Sequence, residues 1–346
     1  MRVVVTGHNG YIGSVMVPFL QDAGHEVVGL DTYLYEGCTF GDEVPDPKAI
    51  RMDLRDVDPS VLRGFDAVIH LAALCNDPLG NQNPSTTYDI NHHASVKLAE
   101  AAKAAGVPRY IFASSCSLYG LAGDEMLTEE AGFNPITPYG ESKILAERDI
   151  RPLADDSFSP CYMRNATAYG VSPRLRCDIV VNNLVGFAYT QGDVLIQSDG
   201  TPWRPLVHIE DISRAFLAAL EAPKSAMHNQ AFNIGRNEDN VRVSEIADMV
   251  KQVVPNCSIR YAEGGGPDPR SYRVDCSKVL KMLPAFKPQW SVMKGVRELY
   301  EAYKEHGLTA EEFQSNRYLR LKQIKKLQDA GKLDGELRWQ TADATA

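Results

Sequence analysis

The sequence predicts an α/β fold, in which helices cover both faces of a doubly wound parallel sheet and a smaller C-terminal lobe follows. Two observations carry this prediction. Short aliphatic and β-branched runs alternate with helical patterns through residues 1–165, as they do in consecutive strand–helix–strand units. Beyond that point Gly, Pro and Asn cluster between Ala168 and Pro205, which indicates a second lobe built from excursions out of the sheet.

The chain begins with a strand, a glycine turn and a helix. Arg2–Thr6 has the length and β-branched composition of a buried parallel strand. It leads into a G-x-x-G-x-x-G turn, in which we expect Gly7 to permit the tight turn, Gly10 to let the backbone approach a diphosphate and Gly13 to let the helix pack closely. The helix, predicted over Tyr11–Ala23, offers free N–H groups and a positive dipole end to an anion.

An acidic residue follows the second strand. That strand is predicted over Glu26–Leu30, and Asp31 stands at its C-terminal end. A carboxylate there can accept both ribose hydroxyls of an adenosine and repels a 2′-phosphate. Strand, turn, helix and acidic residue therefore predict a Rossmann-type dinucleotide site that takes NAD rather than NADP.

The remaining elements are predicted from their hydrophobic patterns. The other strands of the sheet are expected at Ile50–Leu54, Asp66–Ala73, Arg109–Ser115 and Pro160–Asn165. The expected helices are about Pro84–Ala105, one beginning at Pro138, 208–222 and 243–254, with short strands at 231–234 and 259–261. We expect a dinucleotide-binding domain over 1–165, completed by parts of 205–240, a ligand-binding lobe over mainly 166–300, and a helical extension over 301–346.

The C-terminal extension carries a helix start signal and an apolar stripe. Thr309 and Glu312 have the spacing of a capping box. The apolar residues that follow at helical spacing are Tyr318, Leu319, Leu321, Ile324 and Leu327. We expect this stripe to lie on the protein's own surface rather than to bind a partner.

Composition and charge narrow the function classes. Of the 346 residues, 44% are hydrophobic and 23% charged, with a net charge of −9, so neither nucleic acid nor a membrane surface is an expected partner. No signal peptide and no transmembrane run is expected, which predicts a cytoplasmic location. The seven cysteines are scattered without C-x-x-C spacing and the eight histidines are dispersed. This pattern predicts reduced thiols, and neither a disulfide framework nor a metal site.

A tyrosine and a lysine four residues apart are the strongest catalytic candidates. On a helix beginning near Pro138, Tyr139 and Lys143 lie one above the other on the same face. An ammonium beside a phenol stabilises the phenolate, whose pKa is otherwise about 10, so Tyr139 can act as a general base toward a hydroxyl. Ser115, at the end of the preceding strand, can hydrogen-bond the same hydroxyl.

Together these motifs resemble the extended short-chain dehydrogenase/reductase family. The quoted segments are T-G-x-x-G-x-x-G, Asp31, H-L-A-A, Asn91, S-S-C-S-L-Y-G and Y-G-x-S-K, and the resemblance covers roughly residues 1–300. Its nucleotide-sugar branch includes 4-epimerases, 4,6-dehydratases, decarboxylases and 4-ketoreductases. The resemblance implies that Tyr139 is the base, that Lys143 fixes the nicotinamide ribose and that Ser115 polarises the reacting oxygen. It also implies a nucleotide-diphosphate sugar as substrate and a homodimer.

The resemblance further implies which residues contact NAD. Asn91 is expected to position backbone near the cofactor, and Asp53 with Leu54 to flank the adenine. The full set of expected cofactor contacts is Gly7, Gly10, Tyr11, Ile12, Gly13, Asp31, Asp53, Leu54, Leu71, Ala72, Ala73, Asn91, Tyr139 and Lys143.

The expected substrate contacts come mainly from the second lobe. By resemblance Arg204 is the first candidate to bind the sugar diphosphate and Arg270 the second, although the family's second arginine usually precedes an aspartate like Asp268, where this chain has only glycines. Thr167 stands where the family's 4-epimerases have asparagine. The full set is Cys116, Ser117, Thr167, Asn183, Leu184, Arg204 and Arg270.

Two residues after the catalytic serine bear on the reaction. In the family, dehydratases carry Asp-Glu at the positions held here by Cys116 and Ser117, and decarboxylases keep the glutamate. Their absence disfavours dehydration and decarboxylation. We therefore expect a nucleotide-sugar epimerase that transiently oxidises a hydroxyl, at C4, with hydride return. The alternatives are an NAD(P)H-dependent ketoreductase of a nucleotide-linked 4-keto-6-deoxy sugar and, from another class, a non-catalytic NAD-binding sensor or scaffold.

Overall fold

The computed structural model describes residues 1–42, 45–75, 77–263, 266 and 270–340. The strands in this part of the chain are β1 Arg2–Thr6, β2 Glu26–Asp31, β3 Ala49–Arg51, β4 Ala67–His70, β5 Arg109–Ser115, β6 Leu121–Leu127, β7 Ser159–Asn165, β8 Thr167–Tyr169, β9 Asp193–Ile196, β10 Trp203–His208, β11 Gln230–Ile234, β12 Asn240–Arg242, β13 Ser258–Tyr261 and β14 Ser271–Val274.

The helices are α1 Gly13–Asp22, α2 Asp77–Gln82, α3 Pro84–Tyr88, α4 Ala94–Ala104, α5 Pro138–Ile150, α6 Val180–Gln191, α7 Ile209–Glu221, α8 Lys224–Met227, α9 Val243–Val253, α10 Ser277–Met282, α11 Val292–Glu305, α12 Ala310–Phe313 and α13 Arg320–Asp329. Short 3₁₀ turns occur at Leu54–Asp56, Pro59–Leu62, Cys116–Tyr119, Arg151–Leu153 and Asn237–Asp239, and a π turn at Asp89–His93.

Seven strands form one parallel sheet in the order β11-β7-β5-β4-β1-β2-β3. The order runs in opposite directions from β1, so the loops after β1 and β4 diverge and leave a crevice at the carboxyl edge of the sheet. The predicted doubly wound parallel sheet is confirmed. Strand β11 completes it from the second half of the chain.

Alternate residues of the central strands face opposite layers of the core. Val3 and Val5 of β1 pack in the layer that contains Phe216 of α7, whereas Val4 packs in the layer that contains Leu98 of α4. All five of these side chains are buried. The sheet is therefore covered on both faces, which holds its carboxyl edge rigid.

A third buried cluster forms the second lobe, from α6, α9, α11 and their neighbouring strands. Three small sheets accompany it, ordered β12-β10-β8, β13-β9 and β14-β6. The domain boundaries at 165 and 300 stay predictions. Among the described residues, no helix has both the length and the apolar composition needed to cross a membrane.

Several predicted elements differ from those in the structure, and among them the fourth strand ends at His70 rather than Ala73. The third strand ends at Arg51, because the Asp53 carboxylate caps a 3₁₀ turn by accepting the Arg55 N–H at 2.9 Å. The first helix begins at Gly13 rather than Tyr11. The helix expected over Pro84–Ala105 is divided by the π turn at Asp89–His93.

Candidate active site

A cavity of about 760 Å³ lies at the carboxyl edge of the sheet and extends into the second lobe. Its lining residues come from the carboxyl ends of β1, β2, β4, β5 and β7 and from α6, β9, β10 and β14. Every predicted site residue lines it except Asn91 and Cys116. The residues predicted as cofactor and substrate contacts are thus brought to one continuous cavity.

The glycine turn leaves no room for side chains on its inner side. Gly7 has φ +74°, and a Cβ there would lie 2.7 Å from the Ala72 nitrogen. A Cβ on Gly13 would lie 2.3 Å from the Gly7 carbonyl oxygen. The backbone of the glycine turn therefore packs directly against the backbone of the loop after β4 and of the start of α1. This arrangement fits a dinucleotide whose diphosphate lies against main-chain N–H groups.

Asp31 is oriented by two backbone N–H groups at the edge of the cavity. One carboxylate oxygen accepts from Asn9 at 3.0 Å and the other from Tyr33 at 2.8 Å. Each carboxylate oxygen can accept more than one hydrogen bond, so acceptor capacity is left for ribose hydroxyls. Burial raises the pKa of Asp31, and the nearby His8 opposes that rise.

Asp53 and Leu54 also line the cavity, but the Asp53 carboxylate is engaged by its neighbour Arg55. The guanidinium donates to both oxygens, at 2.9 and 2.7 Å. Burial raises the pKa of Asp53, but the Arg55 hydrogen bonds outweigh burial and lower it. Asp53 therefore remains an acceptor next to the predicted adenine position.

Asn91 acts through the backbone of the β4 loop. Its side chain accepts the Leu74 N–H at 2.8 Å and donates to the Leu74 carbonyl at 3.0 Å, and it is fully buried. The π turn is what points this side chain at Leu74, which lines the cavity. Asn91 therefore fixes the backbone of the loop after β4 at the cavity wall, and its position next to NAD stays a prediction.

Tyr139 and Lys143 lie on the first turns of α5. Thr137 caps that helix by accepting the Gly140 N–H at 3.2 Å. The Lys143 ammonium is 2% exposed, donates to the Ala113 carbonyl at 2.8 Å and lies 5.8 Å from the centroid of the Tyr139 ring. Burial lowers the pKa of Lys143 to about 8. A cation is therefore held near the Tyr139 ring.

Ser115 ends β5 and caps the next turn. Its hydroxyl accepts the Ser117 N–H at 3.1 Å, which leaves the hydroxyl proton available for another acceptor. Ser115 and Ser117 line the cavity together with Tyr139. A sugar hydroxyl or carbonyl between them can meet both hydroxyl groups.

The two predicted diphosphate arginines come from neighbouring strands. Arg204 is on β10 and Arg270 directly precedes β14, and the Trp203 N–H donates to the Ser271 hydroxyl at 3.1 Å between them. Both line the cavity, with Thr167, Asn183 and Leu184 on the same lobe. Asp268 lies outside the described residues. The shifted position of Arg270 in the sequence therefore does not remove it from the cavity.

Comparisons with known proteins identify the family to which this chain belongs. A model of the NAD dependent epimerase/dehydratase family matches residues 3–235. A UDP-glucose 4-epimerase of Lactobacillus helveticus is 31% identical over 313 residues, which cover 84% of this chain and 92% of that protein. This chain belongs to the NAD dependent epimerase/dehydratase family.

Solved structures agree with this membership. The structure of MoeE5 in complex with UDP-glucuronic acid and NAD is 28% identical, with a TM-score of 0.77, over 88% of this chain and 99% of that chain. UDP-glucuronic acid 4-epimerase from Bacillus cereus, at 24% identity and a TM-score of 0.75 over 88% of this chain and 99% of that one, shares the fold. The chain is an NAD-dependent enzyme of the extended short-chain dehydrogenase/reductase type, as predicted.

The structure corrects one site residue. Cys116 was expected among the substrate contacts, but its side chain is fully buried in the core and does not line the cavity. The thiol donates to the Arg164 carbonyl at 3.1 Å, and burial raises its pKa well above the ordinary value. The 3₁₀ turn that begins at Cys116 rotates this side chain inward and Ser117 toward the cavity.

Few carboxylates line the described part of the cavity. Of the described cavity residues, those with carboxylates are Asp31, Asp53 and Asp178. The first two are at the predicted adenosine end, and Asp178 pairs with Arg176 at 2.8 Å. Ser115, Ser117 and Tyr139 contribute hydroxyl groups to the cavity, and the Cys75 thiol, which accepts from Arg176 at 3.1 Å, lines it as well.

A buried ion pair beside strand β5 was not predicted from the sequence. Arg164 of β7 makes a two-bond contact with Glu147 of α5, at 3.0 and 2.7 Å, and both side chains are 2% exposed. Glu147 also accepts from the Ser114 hydroxyl at 2.6 Å. The pair ties α5 to β5 and β7. Its signal in the sequence is weak, because a charged residue at helical spacing usually faces solvent.

Three more cations line the cavity without having been predicted: Arg55, which pairs with Asp53, and also Arg176 and Arg320. Arg176 follows β8 in an irregular loop, and Arg320 begins α13 in the C-terminal extension. The C-terminal stripe does pack on the chain's own surface, with Ile324 buried against Leu74. Arg320 lies within this stripe, between Leu319 and Leu321, so a charged residue among apolar ones at the start of the helix was the available signal.

Proposed function

We propose that this protein is a nucleotide-sugar 4-epimerase, which oxidises the C4 hydroxyl of its substrate transiently and restores it with the opposite configuration. The observation that carries the proposal is the convergence of Tyr139, Lys143 and Ser115 on the cavity that contains the glycine turn. The hydroxyl groups that Ser115, Ser117 and Tyr139 contribute to the cavity support it further, because elimination requires an acid and base at carbon and transient oxidation does not.

In this proposal, residues of the chain accept the proton of the sugar hydroxyl and later return it. The Tyr139 phenolate oxygen accepts the proton of the sugar hydroxyl, and the Lys143 ammonium stabilises the phenolate. The Ser115 hydroxyl donates to the reacting sugar oxygen and keeps it near Tyr139. NAD bound along the glycine turn supplies hydride acceptance and return at the sugar carbon. In the return step the phenol gives its proton back.

The second lobe supplies substrate affinity in this proposal. Arginines bind diphosphates through paired N–H groups, and Arg204 and Arg270 line the cavity beside β10 and β14. UDP-sugars are the first substrates to test, because the L. helveticus relative is a UDP-glucose 4-epimerase and MoeE5 binds UDP-glucuronic acid.

The deciding experiment incubates the purified protein with UDP-, dTDP-, CDP- and GDP-sugars, including hexoses and hexuronic acids. Products are identified by NMR while the absorbance of reduced nicotinamide is followed. A C4 epimer without net change of nicotinamide is the expected result. Stoichiometric consumption of NADH or NADPH with a 4-keto sugar would make the protein a ketoreductase instead. Binding without turnover of any sugar would favour the sensor or scaffold.

The homodimer and the cytoplasmic location also remain predictions. Light scattering coupled to gel filtration tests the first, with a mass of twice 38.2 kDa expected. Fractionation of the source cells tests the second.

A further inference from the structure

The C-terminal segment, defined here as residues 317–339, packs against the predicted adenosine side of the cavity. Backbone and side-chain hydrogen bonds hold it there: Arg55 donates to the Glu336 carbonyl at 2.9 Å, and the Trp339 indole donates to the Thr32 carbonyl at 2.6 Å. Leu337 lines the cavity and belongs to a buried cluster with Leu74. The segment thus forms part of the cavity wall next to Asp31 and Asp53.

Arg320 is the charged residue of this segment that reaches the cavity. Its side chain is buried, at 3% exposure, and its guanidinium lies 4.0 Å from the centroid of the Tyr35 ring. It donates one hydrogen bond, to the Arg174 carbonyl at 2.7 Å. Among the described residues no carboxylate lies within 4.0 Å of it. Most of its donors are therefore left for a ligand.

The charges around Arg320 do not balance. Arg176 is close enough to oppose its positive charge, and the Asp178 carboxylate that offsets this repulsion is already paired with Arg176. Burial of the uncompensated guanidinium lowers its pKa. A buried cation without a partner is costly, and an anion in the cavity would compensate it.

The position of these arginines selects the anion. Arg174 accepts the Arg320 hydrogen bond at its backbone carbonyl. Its guanidinium donates to the Asn9 side chain, in the glycine turn, at 3.1 Å. The Arg176 carbonyl is bound by Asn182, whose amide also contacts the Tyr11 hydroxyl. Arg174 and Arg176 are therefore linked by hydrogen bonds to Asn9 and Tyr11 of the turn that fits the cofactor diphosphate.

We propose that Arg320 binds the diphosphate of NAD, so that the C-terminal segment completes the cofactor site and slows cofactor release. The inference rests on NAD binding in this cavity but not on the reaction proposed above. It gives the C-terminal extension a role that its apolar stripe alone does not indicate. Retention of the cofactor also suits an enzyme that uses the same NAD in successive turnovers.

The test measures ligand affinity rather than activity. Nucleotide-free wild type, Arg320→Gln, Arg320→Lys and the control Arg317→Gln are titrated with NAD, ADP and adenosine by calorimetry. Arg317 is on the same segment and pairs with Glu312 at 3.1 Å, with 41% of its side chain exposed. A charge-assisted hydrogen bond is worth about 1.5–3 kcal/mol, so Arg320→Gln should weaken NAD and ADP roughly tenfold to a hundredfold.

Three comparisons make the outcome decisive. Adenosine affinity should be unchanged in Arg320→Gln, and Arg320→Lys should retain part of the ADP affinity because it keeps the charge. Equal losses for ADP and adenosine would show that Arg320 acts through the adenosine pocket, and unchanged NAD affinity would overturn the proposal. Failure of wild type to bind NAD would contradict the cofactor assignment instead.

Thermal unfolding separates ligand binding from a structural role. We expect the Tm of nucleotide-free Arg320→Gln to equal or exceed that of wild type, since an uncompensated buried charge is removed, and the increase of Tm with NAD to be smaller. A lower Tm without ligand together with the full NAD-induced increase would assign Arg320 to the fold alone.

Discussion

The Lys143 ammonium lies 5.8 Å from the centroid of the Tyr139 ring while it donates to the Ala113 carbonyl at 2.8 Å. The hydrogen bond to Ala113 fixes the Lys143 ammonium to β5. Tyr139 and Lys143 are both on α5, so this helix fixes the spacing between them. Because the ammonium is 2% exposed, its field acts on Tyr139 with little screening by water. In the reaction proposed above, this cation stabilises the phenolate form of Tyr139.

The first prediction concerns the base. Tyr139→Phe removes one oxygen and little packing, so substrate and NAD affinities should stay within about twofold, while turnover falls about a hundred- to ten-thousandfold. Steady-state rates and calorimetry measure the two effects. Tyr261→Phe, at a side chain 54% exposed on β13, is the matched control. Turnover above half of wild type in Tyr139→Phe would mean that another group is the base.

The second prediction concerns the stability cost of Lys143. Its folded-state pKa of about 8 lies below the ordinary 10.5, so the unfolded chain binds more protons between these values. The free energy of unfolding therefore rises with pH through this window, and below it the burial penalty is fully present. Glu147 and Cys75 oppose the shift but do not remove it.

Lys143→Met should lack this pH-dependent contribution. Relative to the variant, nucleotide-free wild type should gain on the order of 3 kcal/mol between about pH 8 and pH 10.5. Urea unfolding of wild type and Lys143→Met across this pH range measures the two free energies of unfolding. Subtracting one from the other removes the titration of groups that both proteins share. A difference that does not change with pH would show that Lys143 titrates near its ordinary value.

The third prediction assigns Arg204 to substrate rather than cofactor. Arg204→Ala should weaken binding of the nucleotide sugar roughly tenfold to a hundredfold, because one charge-assisted contact to a diphosphate is lost, and should leave NAD affinity unchanged. Arg260→Ala, on an exposed side chain paired with Asp193 at 3.1 Å, should change neither. Unchanged nucleotide-sugar affinity in Arg204→Ala would contradict the assignment.

The fourth prediction concerns the buried pair beneath the site. Arg164→Met leaves the Glu147 carboxylate buried without its main partner, so the free energy of unfolding should fall by about 3–5 kcal/mol. Adding Glu147→Leu should restore part of the loss, since both charges are then gone. Lys325→Met, which breaks an exposed pair with Asp329, should change stability by less than about 1 kcal/mol. An Arg164→Met loss no larger than this control would argue against a structural role for the pair.

Local patterns predicted the elements whose cause is local. Strand β5 matches the predicted Arg109–Ser115, because a continuous apolar run reports burial on both faces of a parallel sheet. The capping box at Thr309 and Glu312 forms as expected, since it depends on residues three apart. The helix over Pro84–Ala105 was predicted as continuous, and its π turn escaped prediction because the turn serves a contact from Asn91 to the distant Leu74.

The sequence by itself determined the doubly wound sheet, the NAD-binding turn and the catalytic candidates, because spacing along one strand or helix decides where such residues lie. Only the tertiary structure decided that Cys116 is buried whereas Ser117 reaches the cavity, since a short turn sets their directions. Only it brought Arg320 to the wall of the cavity that also contains Gly7, because the packing of distant segments against one another leaves no periodic signal in the sequence.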